Sequence, residues 1–116
     1  VFANDNQTIF YGKKDPQTLR SFQIYAHKLG TSQGEDVLIF EEEDETFSCY
    51  AYKSKSNEYI IINSSSTLSD EYRLIPASSP YETPRIFQKR ERGLEYGIYH
   101  QNNKFYVAVL NYTLFL

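Results

Sequence analysis

Asn6-Gln7-Thr8-Ile9-Phe10-Tyr11, Ser56-Asn57-Glu58-Tyr59-Ile60-Ile61 and Asn102-Asn103-Lys104-Phe105-Tyr106-Val107 are three versions of one phrase, a polar turn running into a strongly apolar strand. Setting Thr8, Glu58 and Lys104 in register spaces the copies by 50 and 46 residues. Two further pairs keep nearly the same period: Ile39-Phe40 with Ile86-Phe87, 47 apart, and Phe47-Ser48-Cys49-Tyr50 with Glu95-Tyr96-Gly97-Ile98, 48 apart. A period of this length is a repeat of supersecondary structure rather than of one element. Within it the chain reads as β throughout, with short Ile-, Val-, Tyr- and Phe-rich runs broken by Asn, Ser, Gly, Asp and Pro.

The strands expected from this pattern are Thr8–Lys14, Ser21–Lys28, Asp36–Glu42, Phe47–Lys53, Tyr59–Ser65, Glu71–Pro76, Pro84–Lys89, Glu95–His100, Lys104–Leu110 and Tyr112–Leu116. Turns are expected at Leu29-Gly30-Thr31, Ser56-Asn57, Ser78-Ser79-Pro80 and Gln101-Asn102-Asn103. No stretch holds apolar residues at a 3.6 period for three turns, so no helix is expected. Four strands per period of 45–50 residues is the signature of a β-propeller blade. A single sheet of this kind cannot bury both its faces, so blades stack around an axis. Strands covered on both sides then become near-continuous apolar runs, as in Tyr59-Ile60-Ile61-Ile62 and Phe105–Leu110.

The fold expected is therefore all-β, about two and a half four-stranded antiparallel blades. Blade 1 covers about residues 1–42 and lacks most of its inner strand; blade 2 covers 47–89; blade 3 runs from 94 to 116 and is incomplete. A closed propeller takes roughly 4–8 blades, at least about 180 residues at this period. The chain has 116 residues and no Met, so it is expected to be a piece of a longer one.

Composition excludes several classes. Twelve Lys+Arg against fifteen Asp+Glu leave a net charge of −3, without the basic field of a nucleic-acid binder. No window of 18 apolar residues is present to span a membrane. Cys49 is the single cysteine, so neither an internal disulfide nor a thiolate metal cluster is available, and its alternating strand suggests burial. One unpaired cysteine suits the cytoplasm, with a periplasmic parent after signal removal as the alternative. The sequons at Asn6, Asn63 and Asn111 are read as chance in an Asn-, Ser- and Thr-rich chain, two of them in strands expected to be buried.

In order and spacing, several stretches resemble the propeller of the prolyl oligopeptidase family of serine peptidases, above all its oligopeptidase B (protease II) branch. They are Ile24-Tyr25-Ala26-His27-Lys28-Leu29-Gly30-Thr31, Gly34–Glu42, Ser54-Lys55-Ser56, Ile61–Thr67, Glu71-Tyr72-Arg73-Leu74-Ile75 and Arg90-Glu91-Arg92-Gly93-Leu94-Glu95-Tyr96. The branch commonly has His before the Glu-Tyr pair, where this chain has Leu94. The resemblance implies a parent with a seven-bladed propeller capping an α/β-hydrolase domain that carries a Ser-Asp-His triad. It further implies cleavage of short peptides after Arg or Lys, with the propeller restricting substrate size.

None of that chemistry is written in these 116 residues. There is no Gly-x-Ser-x-Gly elbow to expose a nucleophile. Ser64-Ser65-Ser66 reads as a hydroxyl-rich turn, and His27 and His100 as solvated strand-end residues. No metal ligand set or Gly-rich phosphate loop is visible, so no cofactor is expected and the chain alone should be inactive. One charge pattern stands out. The acidic link Glu41-Glu42-Glu43-Asp44-Glu45 falls one period before the basic link Gln88-Lys89-Arg90-Glu91-Arg92. Both connections leave the same rim of the disc, which makes Glu41, Glu42, Glu43, Lys89, Arg90 and Arg92 the candidate contact residues. They are either solvated loops with no mutual role or contacts to a catalytic domain, forming a salt-sensitive latch.

The expected partners are the remaining blades and catalytic domain of the same polypeptide, with short peptides as substrates of the parent. In isolation the open sheet edges should drive self-association. A propeller used purely as a binding scaffold is the alternative; a downstream nucleophile elbow in the gene separates the two. A self-contained β domain with its own ligand is the third reading.

Overall fold

The computed structural model describes residues 1–112. Three antiparallel sheets follow one another along the chain. The first holds β1 (Thr8–Lys14), β2 (Ser21–Lys28) and β3 (Val37–Glu41), in that order across the sheet. The second holds β4 (Ser48–Lys53), β5 (Tyr59–Ser65), β6 (Asp70–Pro76) and β7 (Arg85–Gln88). The third pairs β8 (Leu94–Gln101) with β9 (Lys104–Tyr112). Neighbouring strands are sequence neighbours throughout, so each sheet is a meander of the kind the repeat predicts. One 3₁₀ turn at Gln33–Glu35 is the only helical element among the described residues.

Nine of the expected strands are present within one or two residues at each end. The tenth, Tyr112–Leu116, begins on a residue that β9 already contains, and the rest of it lies outside the described residues. The stub of the first blade's inner strand is visible. Phe2 bridges Ile9, the Val1 ammonium donates to the Phe10 carbonyl at 2.9 Å, and the Phe10 N–H donates to the Val1 carbonyl at 2.8 Å. The turn that follows is built twice. The Ala3 N–H donates to the Thr8 carbonyl as the Ser54 N–H donates to that of Tyr59, both at 2.9 Å, and Asn6 and Asn57 both sit at positive φ (56° and 62°). The true register is one residue longer than pairing Thr8 with Glu58 gives. At the third copy Asn102 and Asn103 both take positive φ, the tight hairpin that matches strand twist.

The core lies in the two seams between sheets. Because side chains alternate along a strand, β5 feeds both. Ile60 and Ile62 point into the first seam with Cys49 and Ile75, against Phe10, Ile24 and Ala26 of the first sheet. Ile61 points into the second with Tyr72, against Tyr96 and Ile98 of the third sheet. That double burial is why the run has no polar alternation. The equally apolar Phe105–Leu110 run is mostly exposed, since no further sheet covers β9 among the described residues.

Candidate functional site

The Arg90 guanidinium, on the link between β7 and β8, is clamped by two carboxylates from different sheets. Its Nη2 lies 2.6 Å from Glu42 Oε1 and 2.7 Å from Glu71 Oε1; its Nη1 donates to Glu42 Oε2 at 3.2 Å and its Nε to Glu71 Oε1 at 3.1 Å. The Arg90 backbone N–H adds a bond to Glu71 Oε2 at 2.7 Å. Glu42 closes the first sheet just beyond β3, while Glu71 belongs to β6 of the second. Both are buried, at 3% and 2% exposure. Arg73, next on that face of β6, brings its Nη1 within 2.8 Å of Glu71 Oε1 and stacks over Phe40 of the first sheet, 4.3 Å from the ring centroid. Arg90 itself covers Phe47 at 4.0 Å. Two carboxylates and two guanidiniums thus form a neutral cluster across the seam.

The electrostatics follow from competing causes. Burial pushes the Glu42 carboxyl up, but hydrogen bonds from Arg90 and the Asp44 N–H, with the charge of Arg90, hold it below the ordinary value. Glu71 behaves alike: burial raises it, and Arg90 together with the charge of Arg73 lowers it further than burial can lift it. Burial alone would lower Arg90, and the two carboxylates raise it instead. Glu42, Glu71 and Arg90 therefore stay charged at neutral pH.

The repeat placed Glu42 and Arg90 on one rim, and the structure brings those two together. Their meeting is a buried contact between blades rather than a pair of solvated loops. Glu41 stays on its own sheet, accepting from Gln23 Nε2 at 2.6 Å, and Glu43, Lys89 and Arg92 are exposed. Glu71 and Arg73 were missed. The available signal was two charged residues in a strand expected next to the apolar Tyr59–Ser65 strand, where charges occur only when paired.

Both histidines differ from the solvated residues expected. His100 is 4% exposed, its Nδ1 lying 2.6 Å from Ser56 Oγ and 3.3 Å from Glu58 Oε2 across the second seam. His27 Nδ1 lies 2.6 Å from Asp36 Oδ1, and Tyr11 donates to the other oxygen of the same carboxylate. The Tyr59 ring packed edge-on against His100 comes from the second sheet, beyond what strand position shows. Ser64 and Ser65 finish β5, so the turn is Ser66–Ser69, closed by the Ser66 N–H on the Ser69 carbonyl at 2.9 Å. Cys49 is 1% exposed, and burial pushes its thiol up to about 11. Asn63 is buried, whereas Asn111 is exposed. No group of three His, Cys, Asp or Glu among the described residues could hold a metal ion.

Consecutive antiparallel sheets of three, four and two strands, each running in chain order and stacked face to face through shared seams, define a segment of a β-propeller. The chain belongs to the prolyl oligopeptidase family: residues 1–113 match the model of that family's N-terminal β-propeller domain. It is 38% identical over 107 residues to a dipeptidyl aminopeptidase BI of Pseudoxanthomonas mexicana, covering 92% of this chain and 15% of the relative. It is 36% identical over 92 residues to Protease 2 of Moraxella lacunata, covering 79% and 13%. Its fold superposes on oligopeptidase B from Leishmania major with a TM-score of 0.82 at 27% identity, covering 94% of this chain and 17% of that one. The chain spans between 13% and 17% of the length of these relatives.

Proposed function

We propose that this segment belongs to the non-catalytic propeller of an oligopeptidase B-like serine peptidase that hydrolyses short peptides after Arg or Lys. The propeller excludes larger substrates, and its partners are the other blades and the catalytic domain of the same polypeptide. The observation that carries this reading is the superposition on an oligopeptidase B over nearly the whole chain. The test takes the full-length protein and a series of Arg- and Lys-containing substrates, from short peptides to folded proteins. Hydrolysis after the basic residue that collapses with substrate size supports the reading; equal rates on a folded protein overturn the size restriction.

A second reading, removal of dipeptides from a free N-terminus, is favoured by the 38% identity to a dipeptidyl aminopeptidase. Acetylating the peptide N-terminus separates the two, since it abolishes dipeptide release and spares internal cleavage. On the rim, Lys89, Arg92, Glu41 and Glu43 stand exposed and suit contacts to the catalytic domain. Reversing Lys89 and Arg92 to Glu then alters the salt dependence of kcat/KM; an identical profile from low to high salt removes the latch. The polypeptide 1–112 by itself, with β9 open along its outer face, self-associates; a clean monomer in sedimentation at high concentration argues against this.

A further inference from the structure

The turn between β1 and β2 grips the link between β3 and β4 by its main chain. Arg20 Nη1 donates to three carbonyls of that link, those of Glu42 and Asp44 at 3.2 Å and that of Phe47 at 2.8 Å. Three carbonyls converging on one guanidinium nitrogen give it the surroundings of a bound cation, and hydrogen bonds from a charged donor are the stronger kind. The turn is shaped to aim the side chain. Asp15 Oδ1 accepts the Gln17 and Thr18 N–H groups at 2.8 and 3.0 Å, and the Asp15 N–H donates to the Arg20 carbonyl at 2.8 Å. Leu19, 68% exposed, is held at φ 63°, a conformation that a branched L side chain takes only where its surroundings impose it. The corresponding turn of the second sheet holds its link through a hydroxyl, Ser69 Oγ accepting the Gly93 N–H at 3.2 Å, so the repeat does not itself demand an arginine here.

Arg90 holds the same link from the other side, through the Glu42 carboxylate. Asp44 and Phe47 join the two grips. The Asp44 N–H donates to Glu42 Oε2 at 3.0 Å while its carbonyl accepts Arg20. The Phe47 carbonyl also accepts Arg20 while its ring lies under Arg90 at 4.0 Å. We propose that residues 42–47 form a strap across the seam between the first two sheets, clasped by Arg20 and Arg90 together, and that loss of either clasp releases the other. Glu43 and Glu45 ride on the strap with exposed side chains, so its closure fixes where this rim presents negative charge. Arg20 is a positioning residue, acting on Glu42 through the link.

Hydrogen exchange of the full-length protein reads the strap in peptides covering residues 37–47, where the N–H groups of Glu42, Asp44, Thr46 and Phe47 are all bonded. Arg20→Met should accelerate exchange there about tenfold. Arg20→Lys should restore most of the protection, because an ammonium also offers three donors; a role in apolar packing alone would favour Met over Lys. Added to Arg90→Met, Arg20→Met should contribute less than about twofold beyond the acceleration of Arg90→Met alone, whereas independent clasps would multiply. Exchange unchanged by Arg20→Met, a Lys variant no better than Met, or effects that multiply each overturn the coupled strap. An acceleration by Arg20→Met that extends equally to the β8–β9 hairpin overturns it too, since the whole fold then opens instead of the strap.

Discussion

Arg90→Met tests whether the seam between the first two sheets depends on its buried charges. Methionine keeps an unbranched apolar stem over Phe47 but removes the guanidinium that touches both Glu42 and Glu71. Glu71 retains Arg73 at 2.8 Å; Glu42, at 3% exposure, has Arg90 as its only ion-pair partner among the described residues. Removing one member of a buried pair costs about 3–5 kcal/mol, because the other charge stays dehydrated without compensation. At roughly 1.4 kcal/mol per factor of ten, local opening becomes about a hundred to several thousand times more frequent. Hydrogen exchange of the full-length protein reads this directly, in peptides covering residues 37–47 and 85–94, with the β8–β9 hairpin as an internal control. Glu42→Gln added to Arg90→Met should recover part of the loss, as a neutral amide is cheaper to bury than an unpaired carboxylate. An acceleration below about fivefold, the range of an exposed pair, would refute the assignment of a buried cluster.

Further outcomes follow from the same seams. The Glu42 and Glu71 carboxyls titrate below their ordinary value of 4.5 in the fold. The unfolded chain therefore binds more protons, and their contribution is complete above about pH 4.5 and lost as pH falls through the lowered folded values. Urea midpoints measured down that range should fall less in Arg90→Met than in the parent. Ile62→Ala, at a fully buried position in the first seam, should cost about 2–5 kcal/mol in denaturant unfolding, and a cost under 1 kcal/mol would mean the seam is loosely packed. Asn57→Ala at φ 62° should destabilise by about 1 kcal/mol and Asn57→Gly should not, both read by thermal unfolding. Cys49, with its thiol pushed up to about 11, should resist iodoacetamide at pH 7.5 in the folded protein and react once urea unfolds it.

The sequence by itself determined the strands, their period and their grouping into meanders. These depend on local alternation and turn chemistry, which each segment carries in its own residues: Asn57 before Tyr59–Ser65, or Asn102-Asn103 between β8 and β9. It also placed Glu42 and Arg90 on a common rim, since a repeat converts sequence position into place around an axis. Tertiary structure alone decided which charges meet. Glu71 and Arg73 lie on β6 among residues that pairing makes buried, and whether such a charge is tolerated depends on a partner 19 residues away for Glu71 and on Phe40 for Arg73. His100 was misread for the same reason, because Ser56 and Tyr59 of the second sheet close over it, which its own hairpin does not reveal. Solvation of a side chain is a property of the surfaces that close over it, and those come from other sheets.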